Sequence, residues 1–99
     1  MDLETVISRL KAEQPKLREQ GVLHMSIFGS VARGDNTAES DVDIAVKLDM
    51  TRKIGLSEFY DIKNYIARLL GTKIDLVHEP IRFKPRLQAE IDRDRVAAF

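Results

Sequence analysis

The chain has 99 residues, 16 basic and 16 acidic side chains, 43% hydrophobic residues and no cysteine. That length suits a single domain with one modest core spanning residues 1–99, the apolar fraction predicts a folded chain, and the missing cysteines exclude a disulfide scaffold and any thiolate metal site. Balanced charge argues against a nucleic-acid coat protein, which needs a basic surplus, and with no apolar run near the roughly 20 residues that cross a bilayer the expectation is a soluble, cytoplasmic protein without membrane contact.

The amino-terminal stretch MDLETVISRLKAEQ is mixed in charge and amphipathic, which excludes a signal peptide. Leu3, Val6, Ile7 and Leu10 recur at i, i+3, i+4 and i+7 and predict a helix. Pro15 ends or kinks it, Leu17 continues its face, and Gly21 stops it. Val22 to Phe28 alternates only partly but is rich in strand formers, so a strand is expected there. Gly29-Ser30 ends that strand sharply, and the polar stretch after it reads as a loop opening with one short helical turn.

Asp41 to Leu48 is the cleanest pattern. Val42, Ile44, Val46 and Leu48 point one way; Asp41, Asp43, Ala45 and Lys47 point the other. After a loop from Asp49 to Gly55, the residues Leu56, Phe59, Ile62, Ile66 and Leu69 mark a second amphipathic helix, with Ser57 near its start and Gly71 past its end. Lys73 to Val77 predicts a third strand, closed by Pro80. Pro85 fits the first turn of a last helix through about Asp92, and Arg95 to Phe99 reads equally as a frayed helix end or a short edge strand. The element order predicts an α/β fold: a small mixed β-sheet flanked by helices, its first two strands paired like a hairpin and its third added in parallel through a helical crossover.

Chemistry concentrates at two places. Asp41 and Asp43, two residues apart on a strand, share a face, where their charges repel unless a hard divalent cation sits between them. Gly29-Ser30, at the end of the preceding strand, lets a phosphate approach the backbone and adds a hydroxyl donor. Asp75, between Ile74 and Leu76, offers a third carboxylate on a neighbouring strand.

The stretch GSVARGDNTAESDVDI resembles the signature of the nucleotidyltransferase superfamily: Gly-Ser, ten residues, then Asp-x-Asp. Four fixed residues at that spacing arise by chance roughly once in a thousand chains of this length. Phe28-Gly29-Ser30-x-Ala32-Arg33-Gly34 and Ser40-Asp41-x-Asp43 are similar to the minimal nucleotidyltransferase (MNT) subgroup, and FKPRLQAEI is similar to its usual ending. The resemblance implies a polymerase-beta-like fold and transfer of AMP from ATP to a hydroxyl with two Mg²⁺ ions. It implies that Asp41, Asp43 and Asp75 are the catalytic, metal-binding carboxylates and that Gly29 and Ser30 hold the phosphates. Arg33 is the candidate for the departing pyrophosphate. It further implies an antitoxin whose acceptor is a tyrosine on a HEPN-type toxin partner. Two other readings stay open: an antitoxin that inhibits by binding alone, and a transferase acting on a small molecule or an RNA end.

Other residues are read as structural. His24 is expected to be packed or hydrogen-bonded within its strand, His78 to lie in a surface loop, and Tyr60 and Tyr65 to serve helix packing. Arg82, Lys84 and Arg86 read as a solvated helix start or a contact for an acidic partner. Arg93 and Arg95, alternating with Asp92 and Asp94, read as a solvated face.

Overall fold

The computed structural model describes all 99 residues, Met1–Phe99. Helix α1 (Leu3–Ala12) opens on Asp2, whose carboxylate accepts the Thr5 N–H at 2.8 Å. It ends before Pro15, and helix α2 (Gln14–Glu19) restarts with that proline in its first turn, where an N–H has no intrahelical partner to lose. Gly21, at φ +100, turns the chain into strand β1 (Val22–Phe28). Helix α3 (Gly29–Arg33) follows without a linker. Strand β2 (Val42–Leu48), helix α4 (Leu56–Leu70), strand β3 (Ile74–His78), helix α5 (Pro85–Asp94) and strand β4 (Val96–Ala97) complete the chain. Of the two readings of Arg95 to Phe99, the edge strand is the one formed. No helix is long and apolar enough to cross a membrane.

The sheet order is β3-β2-β1-β4, with β1 antiparallel to both neighbours and β2 parallel to β3. This is the mixed sheet expected, hairpin-like at its start and closed by a crossover through α4. One face packs Val42, Ile44, Val46, Ile74 and Leu76 against Val6, Leu10, Ile62, Ile66 and Leu70 of α1 and α4. The apolar stripes of both helices therefore meet the apolar face of β2, and this is the main core.

The second face departs from expectation. Ala45 was grouped with the outward residues of β2, yet it is 1% exposed. It packs with Phe28, Ile81 and Ile91 in a smaller core beneath α5. Each face of the sheet therefore carries a buried core, and Asp43 lies at the edge of the smaller one.

A β-bulge explains why β1 alternates only in part. Val22 pairs with Leu48 but His24 pairs with Lys47, so Leu23 is the extra residue. Leu23 and His24 both point outward, and the phase reverses beyond them. Met25 and Ile27 then enter the main core while Ser26 and Phe28 face α5. His24 is exposed rather than packed, contrary to its expected role, because the bulge moves it off the buried phase.

The second face is also tied by a polar network that the alternating charges of α5 concealed. The alternation of Arg93 and Arg95 with Asp92 and Asp94 predicts a solvated face for Arg95. Instead it donates to Glu79, to Ser26 Oγ at 3.1 Å and to Asp92 at 3.0 Å. Glu79 is 3% exposed and also accepts from Gln88 at 2.8 Å. The Arg95 guanidinium holds the Glu79 carboxyl below its ordinary range against the opposing effect of burial. Removing one partner of such a pair leaves an uncompensated buried charge. Arg95→Ala is therefore expected to lower stability by about 3 kcal/mol, read from urea unfolding at neutral pH. A change below about 1 kcal/mol would show that water reaches Glu79 and that the bridge is dispensable.

Candidate active site

The site is built on one row across the sheet. Phe28, the last residue of β1, pairs with Asp43 of β2, and Asp43 pairs with Asp75 of β3. Parallel pairing of β2 with β3 puts both carboxylates on the same face, at neighbouring positions. Asp41 stands just before β2, half-buried, on the same side of the chain as Asp43. The three predicted carboxylates therefore converge on one end of the second face. They do not enclose a cation by themselves, since no three metal-ligating side chains form a closed cluster.

The electrostatics of the row are unbalanced. None of the salt bridges of the chain involves Asp41, Asp43 or Asp75. The Asp43 carboxyl is pushed up to about 6, first by burial, then by the charge of Asp75 and the proton the two can share, then by Asp41. Arg33 acts weakly the other way. Crowded, partly buried oxygen ligands without a protein cation suit Mg²⁺, which binds through one or two carboxylates and completes its shell with water and substrate phosphate. The residues fit a metal that arrives with a phosphate-bearing ligand better than one held in an all-protein cage.

Gly29 follows Phe28 at φ +72, a conformation that glycine adopts without strain. A Cβ placed there would lie 2.2 Å from an Asp43 carboxylate oxygen. Backbone and carboxylate thus approach more closely than any side chain permits. Ser30 is half-buried, and its carbonyl accepts the N–H groups of Gly34 and Asp35 at 2.9 and 3.1 Å, which shapes the turn. Gly29-Ser30 and the carboxylates are one locality.

Arg33, the candidate for the departing pyrophosphate, is engaged within the chain. Its guanidinium donates to Asp35 at 3.1 Å and to Asp94 of α5 at 2.8 Å, which clasps α3 to α5. Asp94 was read as solvated, yet its side chain is 6% exposed. Lys63 of α4 was missed altogether. It lines two open clefts, of about 370 and 390 Å³, that meet at Asp75. The first has Phe28, Val77 and Leu87 as apolar wall; the second adds Asp41 and Lys73. Only the packing of α4 beside β3 brings Lys63 there, although Lys63 and Ala67 at i, i+4 could have marked that helix face. His24 lies at the far end of the sheet. His78 is the last residue of β3 rather than a loop residue. Tyr65 donates to Glu13, as helix packing requires.

Residues 11–97 match the family of polymerase beta nucleotidyltransferases. A protein adenylyltransferase of Thermococcus cleftensis is 40% identical over 78 residues, covering 78% of this chain and 77% of that one. A solved protein assigned as a minimal nucleotidyltransferase has a TM-score of 0.77 at 33% identity, covering 97% of this chain and 95% of that one. A chain from the complex of tri-AMPylated Shewanella oneidensis HEPN toxin with MNT antitoxin has a TM-score of 0.63 at 18% identity, covering 94% and 71%, a likeness of fold. The small mixed sheet with flanking helices is therefore the minimal nucleotidyltransferase fold.

The raised Asp43 carboxyl makes stability depend on pH with a defined sign. Its folded value lies above the ordinary 3.8, so the folded state holds the extra proton between about 4 and 6. Stability then falls as pH rises through that window. Asp43→Asn removes the penalty and is expected to stabilise the metal-free protein above pH 6. The gain is on the order of 1 kcal/mol after allowing for solvent screening, a few degrees in melting temperature. The difference vanishes below about pH 4. Melting curves from pH 4 to 8 in chelator test this, and a variant less stable at pH 8 would contradict it.

Proposed function

The chain belongs to the polymerase beta nucleotidyltransferase family, and on that footing we propose that it transfers AMP from ATP to a tyrosine hydroxyl on a HEPN-type partner protein and so acts as an antitoxin. The observation that carries the reading is the paired row of Asp43 and Asp75, with the Asp43 carboxylate packed against the backbone of Gly29 in the space a side chain would fill.

In this proposal Asp41, Asp43 and Asp75 hold Mg²⁺, and Gly29 and Ser30 hold the β- and γ-phosphates. Bound magnesium supplies charge for the attacking and departing oxygens of an in-line displacement. The rest falls to the residues of the chain. Gly29 admits the phosphates close to the backbone, and Ser30 offers its hydroxyl as donor. The acceptor oxygen bonds to the α-phosphorus as the bond from that phosphorus to the pyrophosphate oxygen breaks, and the acceptor proton passes to Asp75. Arg33 has a terminal nitrogen not used by Asp35 or Asp94, and its charge already reaches Asp43, so it meets the departing pyrophosphate.

Several observations support the acceptor. The cleft at Asp75 has an apolar wall of Phe28, Val77 and Leu87, which suits an aromatic hydroxyl more than a sugar hydroxyl. A sequence relative is a protein adenylyltransferase, and a fold neighbour comes from a complex with an AMPylated HEPN toxin.

Incubation of the chain with labelled ATP, Mg²⁺ and the protein encoded beside it is expected to label that protein. Asp41→Asn/Asp43→Asn abolishes the label. Neutralisation of the partner that survives the double variant, with no label transferred, would replace catalysis by inhibition through binding. Ser30→Ala is expected to weaken nucleotide use roughly tenfold, the worth of one hydrogen bond to a charged group, with the melting temperature unchanged. Asp75→Asn is expected to slow turnover about 100-fold. Unchanged turnover would remove Asp75 from the proton-accepting role.

A further inference from the structure

The cleft at Asp75 does not end there. Val77 and Leu87, which form its wall, also line a neighbouring cleft of about 400 Å³ with Phe83, Lys84, Pro80 and Ile81. His78 and Pro80 in turn line a third, of about 370 Å³, with Leu23, Met50 and Arg82. The three form one groove running from the carboxylates along β3 to the far end of the sheet. Its exposed apolar side chains are large: Phe83 is 84% exposed, Met50 73% and Leu23 40%. Leu23 is turned outward by the bulge in β1. Large exposed apolar side chains gathered on adjoining clefts mark an interaction site.

The groove also has a direction and a charge. Gly29 and Ser30 lie on the β1 side of the carboxylate row, and Asp75, where the groove meets the row, lies on the β3 side. In an in-line displacement the leaving group and the acceptor occupy opposite sides of the reacting phosphorus. The groove is then on the acceptor side. Arg82 and Lys84 are exposed on it, and neither forms a salt bridge within the chain.

We propose that this groove is the docking surface for the acceptor-bearing partner. It takes a polypeptide segment with an apolar face for Phe83, Met50 and Leu23 and acidic side chains for Arg82 and Lys84, and delivers the acceptor hydroxyl to Asp75. This rests on the reading that the acceptor is a protein. A groove of three compartments exceeds what a single hydroxyl-bearing small molecule fills. Its four unbridged cations, Lys47, Lys63, Arg82 and Lys84, share the groove with Asp43, Asp75 and Glu90 and with large apolar side chains, which suits an amphipathic segment carrying acidic side chains better than a nucleic acid, whose affinity comes from many phosphate contacts on a basic surface.

The test measures binding and transfer separately, using the full chain and the protein encoded beside it. Binding is read by sedimentation, nucleotide binding with a non-hydrolysable ATP analogue, and transfer with labelled ATP. Phe83→Asp and Arg82→Glu/Lys84→Glu alter exposed side chains, so melting temperature and nucleotide binding are expected to stay as in the wild type. Partner affinity is expected to fall at least roughly tenfold in each. Transfer falls at low partner concentration and recovers at saturation, a change in KM without one in kcat. Leu56→Asp, an exposed apolar residue on α4 outside the groove, leaves affinity unchanged. Undiminished affinity in both groove variants, equal loss in Leu56→Asp, or no complex with the wild type would overturn the proposal. So would a wild-type dimer that Phe83→Asp dissolves, which would assign the groove to a second copy. A groove-dependent complex without label transfer would uphold the docking surface while refuting the catalytic reading.

Discussion

Asp43 and Asp75 occupy partnered positions on neighbouring parallel strands, and the charge of Asp75 raises the cost of ionising Asp43. A side chain on a surface loop would swing away. Here the ladder between β2 and β3 holds both in place, and the main core beneath fixes the strands. The crossover through α4 gives the parallel pairing, and the parallel pairing brings the two acids to one level. Stability stored in the apolar half of the sheet thereby maintains an electrostatic strain at the end that carries Asp43, and a cation carried in with phosphate, as proposed above, would relieve that strain.

The second face shows how the surroundings of that end are held in place. Ala45, Phe28, Ile81 and Ile91 close a small core one step away from Asp43. Glu79 and Arg95 lock the far part of this face, and Gln88 and Asp92 bind the helix into the same network. Arg33 clasps α3 to α5 through Asp94. These ties fix α5 to the sheet and to α3. The cleft shared by Asp43 and Asp75 is therefore lined by residues of β1, β2, β3, α4 and α5, a more exact support than loops provide.

Much of this was legible in the sequence for physical reasons. The periods of α1, β2 and α4 were long and clean, and Pro15, Gly21 and Gly71 sat where backbone geometry needs them. The carboxylate pair could be placed on one face because strand period is two. What escaped was tertiary. Ala45 is small enough to pass for either side of a strand. Glu79 and Arg95 are sixteen residues apart, and no local pattern shows that one neutralises the other. Lys63 reaches the site only because α4 packs beside β3. The position of His24 depended on a bulge, which partial alternation hinted at without locating.

That bulge acts as a phase adjuster between the two ends of β1. Residues on a strand behave like the teeth of a ratchet with two positions, and a one-step slip reverses every assignment beyond it. Leu23 absorbs such a step at the end remote from Asp43. Variation in length there can be taken up locally, since Leu23 and His24 already face outward. Between Met25 and Gly29 no such slack exists, because a slip would carry Phe28 off its partner and turn the glycine away from the acid it makes room for. The strand is tolerant at one end and rigidly indexed at the other, and the indexed end is the one that faces the candidate active site.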